Sequence, residues 1–116
     1  MNVPVPRAAS SVLVGALLQR TRAEGGFAVV LAKGDAKSGS VLVVLLERGV
    51  RSSILERILA PDGAYTWGGS GPKALGDEEE VQKFLARKRK FDPDLWIIEL
   101  DVPSAERFIA EMNAMN

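Results

Sequence analysis

Four carboxylates lie close to one another in the sequence, and carboxylates are the side chains that oxygen-ligand chemistry uses. Glu99 and Asp101 stand two apart in "DLWIIELDV", so on a strand both project on the side opposite Trp96. Asp92 and Asp94 flank Pro93 just before it. Such a group can hold Mg²⁺ or Ca²⁺ through oxygen, or work as an acid/base pair. The calcium-loop spacing with its central glycine is absent. Strand ends and proline turns also attract Asp and Glu without catalytic duty. The four are therefore candidates for binding, and no metal site is assigned to them.

A second set of candidates is cationic. Lys83, Arg87 and Lys90 share one helical face, and Arg89 widens it to a patch of the kind that grips phosphates. The same helix carries four acids, "DEEE", at its start, and the chain's 15 cationic side chains are balanced by 15 anionic ones. A chain of zero net charge lacks the field typical of nucleic-acid binders, so a nucleic-acid partner is not expected.

The glycine-rich stretches are weaker. "GGSGPKALG" fails the P-loop pattern, because Pro72 removes an N–H and Ala74 follows Lys73 where Ser or Thr should hold Mg²⁺. "KGDAKSG" has the composition of a small anion nest of backbone N–H groups, but it lies between two strand-like runs and reads as a loop. Ser38 beside Lys37 is discounted as a Ser–Lys nucleophile, since neighbours in a loop seldom share the required geometry. Tyr65 and Trp67 face the same way on a strand, either filling the core or forming a binding surface beside the connector.

Absent residue types exclude more than the present ones suggest. There is no Cys and no His. Ser-His-Asp and Cys-His catalysis, thiolate nucleophiles and nearly all zinc sites go with them. No cofactor and no catalytic residue are assigned. "SSVLVGALLQ" has the apolar run of a short signal-peptide core but lacks a convincing cleavage site after it. No apolar run approaches the roughly 20 residues that span a bilayer. The expected compartment is the cytoplasm, without a membrane partner.

The elements that must position these groups follow from periodicity. A first helix is expected over 7–24, opened by Pro6, closed by Gly25-Gly26 and burying Val12, Leu13, Ala16 and Leu17. "FAVVLA" (27–32) and "VLVVLL" (41–46) read as an antiparallel hairpin, each strand covered on both faces. A second hairpin, 52–60 with 64–68 around "PDG", is preferred to a short helix over the first of these segments. A flexible connector spans 68–76. From Asp77 a helix buries Val81, Phe84 and Leu85 and lays the Lys88 stem along its apolar edge. Acids at its start and "RKRK" at its end match the helix dipole, and Pro93 stops it. Trp96, Ile98, Leu100 and Val102 then share one face of a strand, and a last helix from Pro103 buries Ala105, Phe108, Ile109 and Met112.

With these residues placed, the chain resembles a short family of uncharacterised alphaproteobacterial proteins, a domain of unknown function. The resemblance rests on "GGFAVVLAKGDAKSGSVLVVL" (25–45), "PDGAYTW" (61–67) and above all "FDPDLWIIELD" (91–101). It implies a single cytoplasmic domain and brings no activity, cofactor or site residue.

The expected architecture is one α+β domain over 1–116, in the order α-β-β-β-β-α-β-α, with a mainly antiparallel sheet of five strands and helices packed on one face. Three helices on one face leave apolar strand surface open, which predicts a homodimer that covers it. The leading functional expectation is a small interaction or regulatory module, with an unknown protein or small-molecule partner, and not an enzyme. A carboxylate-dependent metal or small-ligand enzyme using Glu99 and Asp101 is the alternative. Weak nucleic-acid binding through Lys83, Arg87, Arg89 and Lys90 is the second.

Overall fold

The computed structural model describes residues 9–115. Eight elements follow one another: α1 (Ser10–Ala23), β1 (Phe27–Ala32), β2 (Val41–Glu47), β3 (Val50–Leu59), β4 (Tyr65–Ser70), α2 (Glu78–Phe91), β5 (Trp96–Val102) and α3 (Ala105–Ala114). Their order is the expected one. The start of the first helix at residues 7 and 8 lies outside the described residues.

The five strands form one sheet in the order β1-β5-β2-β3-β4. The sheet is mixed: β5 runs antiparallel to β1 and parallel to β2, while β2-β3 and β3-β4 are antiparallel. This corrects the first hairpin. β1 and β2 are not partners, because β5 inserts between them. The eight-residue joint "KGDAKSGS" reaches across a two-strand gap of roughly 10 Å, which its length permits as readily as a hairpin turn. The second hairpin is as expected, with 52–60 extended and not helical. Its turn is closed by Ala60 N–H to the Ala64 carbonyl and by Asp62 Oδ1 accepting from Ala64 N–H, with Gly63 at φ +88°.

Burial follows the strand order. β2 and β5 are central and covered on both faces, so "VLVVL" and "WII" are buried throughout. Val41, Val43 and Leu45 join Trp96, Ile98, Leu100 and Val102 beneath α1 and α3, which contribute Leu13, Val14, Leu17, Phe108 and Met112. Leu42, Val44, Ile54 and Ile97 form a second core with Val81 and Leu85 of α2. Helices therefore lie on both faces, not one. β1, at the sheet's edge, is not covered on both faces: Phe27 is 77% and Val29 51% exposed.

The helices follow their local signals. Asp77 caps α2, its Oδ1 accepting Glu80 N–H at 3.1 Å, and Glu78 to Glu80 fill the first turn. Ser104 caps α3, and Glu47 Oε1 takes a further orphan donor there, Ala105 N–H, at 2.9 Å. In α1 the buried stripe is Leu13, Val14, Leu17 and Thr21, whose hydroxyl donates to the Leu17 carbonyl at 2.8 Å. Val12, expected inside, is 60% exposed. The segment 71–77 is pinned by Leu75, which packs on the second core and whose carbonyl accepts from Arg51 Nη1 at 3.1 Å.

Candidate functional site

Two surfaces stand out once the elements are placed. The first surrounds loop 33–40, which straddles the start of β5. Gly34 and Gly39 press so closely on the Asp94 carbonyl that a Cβ on either would stand 2.1 and 2.2 Å from its oxygen. Asp35 N–H donates to that same carbonyl at 2.9 Å, and Trp96 Nε1 donates to the Asp35 carbonyl at 2.7 Å. From above, the start of α1 completes the clamp, with Ser11 N–H on the Ala36 carbonyl at 2.9 Å and the Ser10 hydroxyl on that of Gly39. Within the loop the Asp35 carboxylate accepts from the N–H and hydroxyl of Ser38 and from Lys37 N–H, which together hold its pKa below the usual carboxylate range. The backbone nest is thus filled by the loop's own carboxylate.

This rigid loop borders a hollow of about 240 Å³, walled by Lys37, Ser38 and Ser40 and, from the β3-β4 hairpin, by Arg57 and Tyr65. The Arg57 guanidinium lies 4.0 Å from the centre of the Tyr65 ring. A second hollow of about 260 Å³ shares Ser40, Val41 and Arg57 with it and continues to Ile58, Phe91 and Leu95. The ion pair of Lys88 with Glu56 borders it.

The second surface is the free edge of β1. Phe27, Val29, Val30 and Leu31 are exposed, and the strand "FAVVLA" carries neither charge nor proline. Natural edge strands are blunted by charge, by proline or by a bulge, and of these β1 has only a register shift between Val30 and Ala32.

The candidates read from the sequence are scattered over this frame. Glu99 and Asp101 do lie opposite Trp96, on the α2 face of β5, both half-buried. Asp101 is committed to structure, its Oδ1 accepting Gly49 N–H at 3.0 Å in the β2-β3 turn. Asp92 and Asp94 stand at the other end of β5, roughly 20 Å away by strand rise, with Asp92 Oδ1 accepting Asp94 N–H at 3.1 Å. Among the described residues no group of three acidic side chains is placed to hold a metal ion. Lys83 pairs with Glu79 at 3.2 Å, while Arg87 and Lys90 lie exposed further along α2. Arg89 is a latch, its Nη1 donating to the Lys33 carbonyl at 3.1 Å and to that of Leu95 at 2.7 Å. Trp67 is in the core at 6% exposure, and its indole N–H meets no acceptor among the described residues. Tyr65 lines the hollow beside Arg57.

Sequence reasoning missed Arg57 and the clamp on loop 33–40. A signal existed for the clamp: two glycines, a short polar run and an Asp two residues before Lys37. None existed for Arg57, whose partners come from other elements.

A single mixed sheet with helices on both faces defines a small α+β domain. The chain belongs to the family described as "Protein of unknown function (DUF1491)", whose model matches residues 8–110. It is similar to the crystal structure of a member of that family from Caulobacter crescentus, with 28% identity, 83% of this chain and 89% of that one covered, and a TM-score of 0.72. An NMR structure of a family member from the same organism gives 28% identity, coverages of 87% and 91%, and a TM-score of 0.73. The solution structure of an A. tumefaciens protein gives 26%, 89% and 92%, and 0.68. No curated protein matches the chain significantly. Among the described residues no helix is long and apolar enough to cross a membrane.

Proposed function

We propose that the protein is a small cytoplasmic interaction module that works as a homodimer joined along β1. The observation that carries this is the composition of the free edge: six residues, "FAVVLA", with no charge and no proline, four of them exposed apolar side chains. Such an edge presents unpaired backbone donors and acceptors together with apolar surface, the two things strand addition consumes. A second copy suits it because an uncharged strand meets no like-charge repulsion against itself.

Antiparallel pairing about a two-fold axis normal to the sheet keeps each face continuous and sets a residue opposite its own copy. Val29 is the midpoint of the exposed stretch Phe27–Leu31, so pairing centres there, with Phe27 opposite Leu31 of the other copy. The product is a ten-stranded sheet with helices on both faces.

Light scattering over a dilution series tests this. The expected result is twice the chain mass at the upper concentrations, and the chain mass throughout for Val29→Lys, since a lysine on an edge strand is tolerated in a monomer but not between two. A native chain that stays monomeric throughout, or a Val29→Lys variant that dimerises equally well, overturns it.

A further inference from the structure

The β2-β3 turn carries an inference independent of the dimer. Glu47 pairs with Val50, which leaves Arg48 and Gly49 as a two-residue turn with φ of +49° and +83°. Such a turn needs positive φ at both positions, and its ordinary first residue is Asn, Asp or Gly. Among the described residues Arg48 is the one non-glycine held at positive φ. Its side chain gains nothing locally in return, for it has no hydrogen-bond or ion-pair partner among them. A strained backbone position that presents a free cation points to a ligand. Arg48 borders a hollow of about 450 Å³ at the end of the sheet, with Gly25, Gly26, Phe27, Asp101 and Pro103 around it. Asp101 stands in register between Phe27 of β1 and Leu46 of β2, so the hollow spans roughly 10 Å from the Phe27 side to the turn. Phe27 pairs directly with Asp101, which puts both side chains on one face of the sheet. Asp101 Oδ1 is held by Gly49 N–H, and its other oxygen has no partner among the described residues. No further charged side chain among them borders the hollow.

We propose that this hollow binds a free α-amino acid with an apolar side chain, its carboxylate on Arg48, its ammonium on Asp101 and its side chain against Phe27. A cation and a carboxylate that border one hollow without pairing with each other match the two charges of a zwitterion. Because the hollow's own charges cancel, a simple anion or a simple cation meets one attraction and one repulsion there. A residue at a peptide terminus carries only one of the two charges and satisfies half of the site. Phe27, at 77% exposure, and Pro103 offer the apolar surface that a side chain needs. The volume lies in the range of small-ligand sites. The site uses the side chain of Phe27 and not the backbone edge of β1, so it stands with or without a second copy.

The test is an NMR titration of the ¹⁵N-labelled protein with L-leucine and, separately, with N-acetyl-L-leucine, L-leucinamide and glycine. Leucine is expected to give saturable shifts at 25–27, 48–49 and 101–102. The acetyl derivative lacks the ammonium, the amide lacks the carboxylate and glycine lacks the side chain, and each should bind about tenfold more weakly. Arg48→Asn installs a residue that the turn favours, so it should raise the melting temperature. The same variant should weaken leucine about tenfold and leave leucinamide unchanged. Val29→Lys should bind leucine as the native chain does, so a failed dimer and a failed site are told apart. Absence of saturable shifts overturns the site, as does either derivative binding as tightly as leucine, or an Arg48→Asn variant whose leucine affinity is unchanged. Glycine binding as tightly as leucine overturns the contact with Phe27.

Discussion

The indole N–H of Trp96 donates to the carbonyl of Asp35 across 2.7 Å, tying the first residue of β5 to the loop that feeds β2. The residues are 61 apart in sequence. This bond lies where β5 enters between β1 and β2, so it fastens the feature that makes the sheet mixed. Trp96 is almost fully buried, and truncating it leaves both a void and an unmatched carbonyl. Trp96→Phe should cost about 1–3 kcal/mol in urea unfolding. A loss under about 0.5 kcal/mol would mean that the loop is held without it.

Glycines separate into two kinds. At Gly34 and Gly39 an added methyl meets the Asp94 carbonyl oxygen well inside contact distance, and backbone is on both sides. Gly34→Ala and Gly39→Ala should each cost about 2 kcal/mol or more, with the native fold of the loop lost. Gly15, inside α1, has nothing among the described residues within 4 Å of where a Cβ would stand. Gly15→Ala should instead stabilise by about 0.5–1 kcal/mol. Thermal denaturation of the three variants side by side reads the contrast.

The cap of α2 makes a simpler prediction. Asp77 Oδ1 satisfies Glu80 N–H, one of the orphan donors of the helix, and its charge lies at the positive end of the dipole. Asp77→Ala should cost about 1 kcal/mol and Asp77→Ser little, measured as denaturant midpoints at constant slope.

Acid stability has a defined sign. Hydrogen bonds from Ser38 and Lys37 lower the Asp35 pKa, the bond from Arg20 lowers that of Glu111, and the bond from Arg51 lowers that of Glu78. A depressed folded pKa means that the unfolded chain binds more protons in the window between the two values. The contribution is therefore full above roughly pH 4 and fades as pH falls through the lower folded value. Carboxyl ¹³C titration should place Asp35 below the ordinary carboxylate range. Asp35→Asn should show a shallower loss of stability from about pH 5 to about pH 3 than the native chain.

Much of the fold was legible because its signals are local. The helix from Asp77 has acids first, cations last and a proline stop; "PDG" has one natural turn; Trp96, Ile98, Leu100 and Val102 alternate as a one-faced strand does. What was not legible is which strands pair. "FAVVLA" and "VLVVLL" look alike in composition, yet one is an exposed edge and the other the buried centre, and only the long-range insertion of β5 distinguishes them. The same insertion brings Asp94 beneath Gly34 and Gly39, and with it the clamp on the loop. Charge spacing on single elements pointed instead to Glu99, Asp101 and the α2 cations, because periodicity sees one element at a time. The hollow beside Arg57 is built from α1, a loop and a hairpin, and no window of sequence contains it.

The central claim is that β1 pairs with β1 of a second copy about Val29. The chain contains no cysteine, so a single introduced thiol reports one position without interference. Directly opposed residues in antiparallel strands have Cα atoms about 4.5–5.5 Å apart, within disulfide reach. Phe27 and its copy are offset by four residues, roughly 13 Å, and out of reach. Mild oxidation should therefore convert Val29→Cys to a covalent dimer on a non-reducing gel and leave Phe27→Cys monomeric. Cross-linking of Phe27→Cys in preference to Val29→Cys, or of neither, would contradict the account.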